Sequence, residues 1–406
     1  MGQSTFPVPS SGSSTSTVLP VNASSVILDG SLTSASTYTT TVNGNGGIAY
    51  LTATDNPATI TVSGTAYSVP ANTVVATTAI VGSGASVTVA GTYAQTAPAT
   101  FTGSTMSSSS SWLGVAYGNG YFVAVAAGTT AGAYSTNGTT WSASTMPSSS
   151  TWERVAYGNG YFVATAFRTT AGAYSINGTT WTASTMPSAS DWYGVTYGNG
   201  YFVAVQGAGT TAGAYSTNGT SWTASTMPST ALWFGVTYGL VGATPTYVAV
   251  ASGPTTAGAY STNGTTWTAM TMASSLNWKA VAYGNGTYVA VAQNTTTSNY
   301  STNGITWSTS TMPSSSAWIS VTYGNGYFVA VQASGTTAGA YSTNGSTWTA
   351  VTMPTGAGST AGWWGVTYGA GYFVAVPNGA SAGAYFSQTA LLPVNFGIYN
   401  GPTTIN

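Results

Sequence analysis

Residues 151–190 read TWERVAYGNGYFVATAFRTTAGAYSINGTTWTASTMPSAS, and this stretch recurs with small changes from about residue 107 to residue 390. A tryptophan opens each copy at intervals of 40, 40, 41, 45, 40 and 45 residues, namely Trp112, Trp152, Trp192, Trp233, Trp278, Trp318 and Trp363. A second tryptophan lies near the end of the first six copies, namely Trp141, Trp181, Trp222, Trp267, Trp307 and Trp348. A period near forty residues with four strand-like segments is typical of β-propeller blades. The sequence therefore predicts an all-β, seven-bladed propeller over residues 99–390.

Each copy divides into four segments that we expect to be strands. In the copy opened by Trp152 they are residues 152–157, 161–165, 171–176 and 179–184. Asn-Gly pairs separate the first from the second and the third from the fourth, and both turn residues must tolerate positive φ. The polar run 186–190 should cross to the next blade, because Pro187 cannot continue a strand ladder. No segment shows helical periodicity, which makes the fold class all-β.

The repeat is split between the two ends of the array. The seventh copy stops after its third strand, and residues 101–106 match the fourth strand, residues 141–146, with Phe101 in the tryptophan position. We therefore expect residues 101–106 to pair with residues 382–387 and to close a ring. A solenoid needs caps rather than closure, so the split favours a propeller.

The run Ser-Thr-Asn-Gly-Thr-Thr-Trp at residues 135–141 resembles the Asp-box of the BNR, or sialidase-type, propeller repeats. Its nearest form is Ser-x-Asp-Gly-x-Thr-Trp, with Asn137 in place of the aspartate. The resemblance extends over some 280 residues and implies a propeller fold. Asp-boxes are structural turns on propellers of many activities, so the resemblance does not by itself choose a function.

Composition excludes several classes of function. Charged residues make up 2% of the chain, with three basic and four acidic residues and neither histidine nor cysteine. Nucleic-acid binding requires a basic surface and is therefore not expected. Thiol chemistry is ruled out, and a metal site built from so few carboxylates would be short of ligands. We predict no cofactor and no metal.

The segments around the repeats predict an anchor. Residues 1–18 are a Ser- and Pro-rich flexible or docking arm, residues 19–98 alternate like a small β-sandwich, and residues 391–406 form a tail expected to pack near that domain. The first residues lack the basic and apolar regions of a secretory signal peptide. No run is long and apolar enough to insert into a membrane.

The two ends of the predicted blades differ in how much the copies vary. The turns between strands one and two and between strands three and four are nearly identical, and we call the end that holds them the uniform face. The start of strand one, the end of strand two and the crossover vary, and they form the variable face. It carries the predicted binding residues, which are Glu153, Arg154, Arg168, Asp191, Tyr193, Phe234, Lys279 and Trp364. The uniform face should hold both chain connections, so that the variable face points away from the anchor.

Catalysis is not expected. The sialidase resemblance implies an arginine triad, and the chain has only Arg154 and Arg168. A general glycosidase needs two apposed carboxylates, for which only Glu153 and Asp191 lie on the variable face. The paired tryptophans are expected to wedge between blades, because packing repeats whereas recognition usually differs between copies.

These features favour a non-enzymatic structural protein of a virion. The neutral Ser/Thr/Gly-rich repeats and the first residues resemble bacteriophage tail or head fibres and decoration proteins. We expect the N-terminal domain to bind other virion proteins within a larger assembly, and the propeller to bind a host-surface glycan or protein. The alternatives are a cellular adhesin or lectin-like propeller at the cell surface, and a degenerate glycosidase.

Overall fold

The computed structural model divides the chain into two compact units, residues 98–387 and residues 1–97 with 388–406. It describes residue 98 and residues 100–334, 337–355 and 362–387 in full, and the backbone of ten strands in the other unit. The rest of the predicted arm, sandwich and tail lies outside the described residues. None of the described residues lies in a helix that is long and apolar enough to cross a membrane.

The unit that contains both termini is built from short strands. They are β1 Ser4–Thr5, β2 Ser16–Val18, β3 Val26–Ile27, β4 Ser36–Thr41, β5 Ile48–Ala53, β6 Ala58–Val62, β7 Thr65–Val69, β8 Thr73–Ile80, β9 Ser86–Gly91 and β33 Phe396–Tyr399. Five of them form a sheet in the order β2-β4-β9-β6-β7, and β33-β5-β8 form another. The C-terminal strand β33 therefore pairs with β5 of the N-terminal part.

The repeat unit is all-β in its described residues. Its first half contains β10 Thr102–Gly118, β11 Tyr121–Ala126, β12 Thr129–Ser135, β13 Ser142–Gly158, β14 Tyr161–Phe167, β15 Thr169–Ser175, β16 Thr182–Ser190, β17 Trp192–Gly198, β18 Tyr201–Gln206, β19 Ala212–Ser216 and β20 Thr223–Thr226. Its second half contains β21 Leu232–Val241, β22 Thr244–Ser252, β23 Thr255–Ser261, β24 Thr268–Leu276, β25 Trp278–Gly284, β26 Thr287–Ser301, β27 Ser308–Gly324, β28 Tyr327–Gln332, β29 Ala338–Ser342, β30 Thr349–Thr352, β31 Trp363–Gly369 and β32 Tyr372–Ser387.

Antiparallel pairing groups these strands by repeat. The second strand of each copy pairs with the first and the third, and the third pairs with the fourth. The first strands of successive copies contact each other, and β31 contacts β10, so these contacts form a closed cycle. Thr102 pairs with Tyr385 and Thr105 with Ala382. The predicted pairing of residues 101–106 with 382–387 is confirmed.

The crossovers between copies differ from expectation. In β10, β13 and β27 the fourth strand of one copy runs into the first strand of the next without a break. The expected end of the strand at Pro187 does not occur, because β16 continues to Ser190, and β13 likewise passes straight through Pro147. The proline is accommodated because the ladder shifts register there, between the Thr129–Ser150 and Ala131–Thr145 pairs. A proline at a bulge gives up no ladder hydrogen bond, so it does not end the strand.

The opening tryptophans form the core between neighbouring sheets. All of them are at most 1% exposed. Trp152 packs in one cluster with Val123 and Val125 of the preceding copy. Its indole Nε1 donates to the Ser148 carbonyl at 3.1 Å, which also fixes the crossover. The prediction that the invariant tryptophans serve packing is confirmed for these residues.

The turn between strands three and four is held by its own side chains. Ser135 Oγ accepts from the main-chain nitrogens of Asn137 at 3.3 Å and Gly138 at 2.8 Å. Asn137 Oδ1 accepts from the nitrogens of Thr139 at 3.0 Å and Thr140 at 3.1 Å. The same bonds recur around Asn177. The repeated Ser-x-Asn-Gly run is thus explained by turn chemistry.

Candidate binding site

The residue that follows each opening tryptophan lies in a β-bulge. In β13, Trp152 pairs with Ala166 and Arg154 with Thr165, so that Glu153 is the extra, unpaired residue. The same shift occurs after the opening tryptophan of every copy. A bulge re-aims its side chain without using the ladder. This explains why the position holds such different residues, namely Leu113, Glu153, Tyr193, Phe234, Lys279, Ile319 and Trp364.

The next position brings neighbouring first strands close together. A Cβ atom added to Gly114 would lie 2.9 Å from the Cα atom of Arg154, and one added to Gly235 would lie 3.0 Å from Cα of Ala280. Most copies carry glycine at this position, and the others carry Ala280, Ser320 or Arg154. Arg154 is therefore the one long side chain at a position where the strands otherwise meet through small residues.

Arg154 reaches across several copies of the repeat. Its Nη1 donates to the Leu113 carbonyl of the preceding copy at 3.0 Å and to the Glu153 carbonyl at 2.9 Å. The Glu153 carboxylate lies 3.9 Å from the same nitrogen. On its other side the guanidinium carbon is 5.9 Å from the ring centroid of Phe234, two copies further along. The side chain is 19% exposed, so it is largely buried but still reaches solvent.

Three aromatic residues form a continuous row on the variable face, and we call them the aromatic row: Phe167, Tyr193 and Phe234. Tyr193 stacks on Phe234 with centroids 4.3 Å apart and planes 23° apart. Its ring lies 5.4 Å from that of Phe167. Phe234 is buried, whereas Phe167 and Tyr193 are half-buried. Stacked rings of this kind stabilise each other and leave flat apolar area at the surface.

The other two basic residues contact the ends of this row. Lys279 Nζ lies 4.3 Å from the centroid of Phe234 and donates to Ser252 Oγ at 2.9 Å. The Arg168 guanidinium lies 4.6 Å from the centroid of Phe167. Its Nε is 3.9 Å from Asp191 Oδ1, and its side chain is 75% exposed. Every lysine and arginine of the chain is thus placed against one row of three rings.

Burial shapes the electrostatics of this cluster. Burial raises the pKa of Glu153, an effect that the Arg154 charge opposes and that Asp191 reinforces. Burial also lowers the pKa of Lys279, and the nearby Arg154 charge lowers it further. Tyr193 has a raised pKa, chiefly because of burial and then because of Glu153. The fold thus holds the positive charges of Arg154 and Lys279 near the Phe234 ring, where both lose part of their solvation.

Seven of the eight predicted binding residues come together with Phe167 in one group of contacts, which we call the network. The seven are Glu153, Arg154, Arg168, Asp191, Tyr193, Phe234 and Lys279. No ring contact, ion pair or hydrogen bond among the described residues links Trp364 to the network. Glu153 and Phe234 are only 6% and 7% exposed, which differs from the expected display at the surface. They are buried because neighbouring first strands approach so closely at this level. Phe167 was missed as a site residue, although it replaces Ala127 of the preceding copy and is the only aromatic residue at that position.

The ends of the second strands serve the loops that follow them. Gln206 is buried, and its Nε2 donates to the Thr210 carbonyl at 3.0 Å while its Oε1 accepts from the nitrogen of Ala208 at 2.7 Å. The variation between copies at the ends of the second strands is therefore partly explained by the loops that these residues hold. Within the described residues no group of three or more His, Cys, Asp or Glu side chains is placed to hold a metal ion.

Comparison with known proteins identifies the class of fold. A scan against family models and a search of curated proteins both find no match. Solved structures do match, among them an inactive His-to-Ala variant of virginiamycin B lyase from Staphylococcus aureus with quinupristin. It has 11% identity and a TM-score of 0.60, and covers 70% of this chain and 99% of that chain.

Two further structures agree on the fold. YCF48 bound to D1 peptide has 12% identity and a TM-score of 0.55, over 72% of this chain and 96% of that chain. The WD40 β-propeller domain of Doa1 has 10% identity and a TM-score of 0.52, over 71% and 98%. At these identities the likeness extends to the fold alone. This chain contains a β-propeller.

Proposed function

We propose that this chain is a non-enzymatic structural protein of a virion, a fibre or decoration protein. Its propeller would have seven blades and use the variable face to recognise a host-surface glycan. The unit that contains both termini would attach it to other virion proteins. The observation that carries the proposal is the aromatic row with every basic side chain of the chain against it, at the end where the copies differ. Binding sites combine apolar area with a few placed polar groups in this way.

Low charge elsewhere supports recognition rather than a general electrostatic role. The propeller has only two acidic side chains, Glu153 and Asp191, and both belong to the same network. An exposed ion pair contributes little to stability, and the Arg168–Asp191 pair is of that kind. Stability therefore gives no reason to collect these charges at one end, whereas a ligand does.

The residues present argue against the chemistry of the lyase and of a glycosidase. The lyase variant named above is described as catalytically inactive and lacks one histidine, and this chain has no histidine at all. Glu153 has the raised pKa of a candidate general acid, but its carboxyl group is buried and beside Arg154. Asp191 faces Arg168. A degenerate glycosidase thus remains the third alternative.

The first experiment tests recognition with the full chain on a printed array of saccharides. Wild-type protein is compared with Tyr193→Ala, which removes the central ring of the aromatic row. An aromatic residue at the centre of a binding site contributes about 2 kcal/mol, so we expect roughly a 30-fold loss of affinity. The matched control is Tyr201→Ala, which removes a half-buried ring at the uniform face of the sheet that contains Tyr193.

Unfolding midpoints of both variants show whether a loss reflects misfolding. Equal binding by wild type and Tyr193→Ala would remove the variable face from the proposal. Release of reducing sugar from an array ligand would instead support the glycosidase.

A second experiment separates the virion protein from the cellular adhesin. Antibodies against the purified chain are used for immunogold microscopy of a culture that produces it. Label on virus particles is expected, whereas label on the cell surface alone would support the adhesin.

A further inference from the structure

The network carries a surplus of positive charge in a chain whose net charge is −1. Three basic side chains face two acidic ones, and the raised pKa of Glu153 weakens one of those two as a counter-charge. The surplus lies beside half-buried rings rather than on an open surface. Arg154 and Lys279 are held near each other although burial disfavours their charges, and such an arrangement suits an anionic partner.

Arg154 has one edge free for such a partner. Both of its hydrogen bonds are made by Nη1, to carbonyls that hold the side chain in place. Among the described residues, Nε and Nη2 donate to nothing. These two nitrogens form the edge of a guanidinium that binds a carboxylate through two parallel hydrogen bonds. The side chain is 19% exposed, and neither Nε nor Nη2 is a fully enclosed atom, so that edge is open to a ligand.

Lys279 and the aromatic row complete the arrangement. Lys279 shares the Phe234 ring with Arg154, and only one hydrogen bond of its ammonium group, to Ser252, is made among the described residues. Tyr193 and Phe167 continue from that point as half-buried rings, with Arg168 at the far end. A charged group bound between Arg154 and Lys279 would therefore have a flat apolar surface beside it.

We infer that the ligand is an acidic saccharide, whose carboxylate accepts hydrogen bonds from Arg154 Nε and Nη2 and whose ring packs on Tyr193 and Phe167. Lys279 adds a second cation to the same carboxylate. This inference rests on the proposed recognition function and names its ligand class. Neutral saccharides would meet only the rings.

The test uses an array in which acidic saccharides are printed beside their own carboxyl-methylated forms. Methylation removes the charge and keeps the ring, so each pair isolates the contribution of the carboxylate. A hydrogen bond to a charged group contributes about 1.5–3 kcal/mol, and we therefore expect the wild type to prefer the acids by at least tenfold. Added salt should weaken binding of the acids and leave any binding of the methylated forms unchanged.

Two variants locate the effect. Arg154→Ser installs the residue found at the same position as Ser320, so the fold tolerates it. Lys279→Met keeps the length of the side chain and removes its charge. Each should lower affinity for the acids about tenfold or more without changing binding of the methylated forms. Asn159→Ala on the uniform face serves as the control, because Ala370 occupies the equivalent turn position with φ 46°.

Each outcome decides between the inference and the function on which it rests. Equal binding of acids and methylated forms, or binding of neutral saccharides only, overturns the acidic ligand and leaves saccharide recognition standing. A preference for acids that survives both Arg154→Ser and Lys279→Met overturns the site. No binding to any saccharide on the array overturns the glycan-recognition function, and the inference with it.

Discussion

The two faces of the propeller are built from the same strands and obey different constraints. At the uniform face the turn after strand one requires positive φ, which Asn119, Asn159, Asn199, Asn285, Asn325 and Ala370 adopt at 42–48°. At the variable face the corresponding strand end carries a bulge, where one residue lies outside the ladder. The copies agree where the backbone needs a particular residue and differ where it does not. At these turns invariance therefore marks a backbone requirement, whereas the bulge position places no such requirement on its residue.

Main-chain bonds hold the variable face whatever its side chains are. The nitrogen of Gly207 donates to the Asp191 carbonyl, and that of Gln293 donates to the Asn277 carbonyl, both at 2.9 Å. Side chains contribute nothing to these bonds, so residues at the bulge are free to change. Ser135 and Asn137 in the turn between strands three and four have no such freedom, because their side chains make the hydrogen bonds of that turn.

The largest effect that this comparison predicts is a glycine substitution at the uniform face. Gly178 has φ +72°, and an added Cβ would lie 2.4 Å from Val123 Cγ2 in the preceding copy. Left-handed backbone and overpacking together predict that Gly178→Ala lowers the free energy of unfolding by about 2–5 kcal/mol. Urea unfolding followed by tryptophan fluorescence measures it.

The neighbouring turn provides the control for Gly178→Ala. Asn159 is exposed, and alanine already occupies its position as Ala370, so Asn159→Ala should change stability by less than about 1 kcal/mol. A mild Gly178→Ala together with a severe Asn159→Ala would show that the uniform face is not constrained as described.

Much of the fold could be predicted from the sequence because its signals are local and repeated. Asn-Gly turns, the forty-residue period and the displaced fourth strand at residues 101–106 each report a backbone requirement that recurs. The pairing of Thr102 with Tyr385 follows from counting strands alone. The continuous strand through Pro147 did not follow, because the compensating register shift involves partners in another strand.

The candidate site was predictable in its location and less so in its depth. Variation between copies indicates the bulge residues from the sequence alone, without knowledge of the strand pairing. It could not show that Glu153 and Phe234 are buried, since burial there depends on how closely neighbouring first strands approach. Phe167 was overlooked because it lies at the end of strand two, and its contact with Tyr193 joins two copies.

A smaller effect is expected from Glu153, because burial raises the pKa of its carboxyl group. The folded protein holds the Glu153 proton more tightly than the unfolded chain, whose ordinary pKa is 4.5. The stabilisation from this group is complete below that value and is lost as the pH rises through the folded pKa. Unfolding stability should therefore fall with rising pH above 4.5.

Glu153→Gln tests this slope. No histidine titrates in the same range, and only three other carboxylate side chains exist, so the background is small. Urea unfolding midpoints measured from pH 4.5 to 7 should decline for the wild type and stay level for the variant. An identical decline in both proteins would assign the pH dependence to other groups.

The smallest effect is expected at Arg168, and it has the opposite sign to that at Gly178. Arg168 adopts φ +57° at a position that Gly128 fills in the preceding copy, and such a conformation costs an L-residue about 1–2 kcal/mol. Glycine relieves that strain but loses more conformational entropy on folding than arginine does. Arg168→Gly should therefore stabilise the protein by at most about 1 kcal/mol. The exposed contact with Asp191 offsets little of this. Asn294 adopts φ 59° at the equivalent position of another copy, but asparagine tolerates this conformation better than arginine does. Strained residues concentrate at functional sites, and Arg168→Gly should therefore bind array saccharides more weakly. Lower stability with unchanged binding would instead make Arg168 a structural residue of its loop, and the variable face would lose its most exposed cation as a binding group.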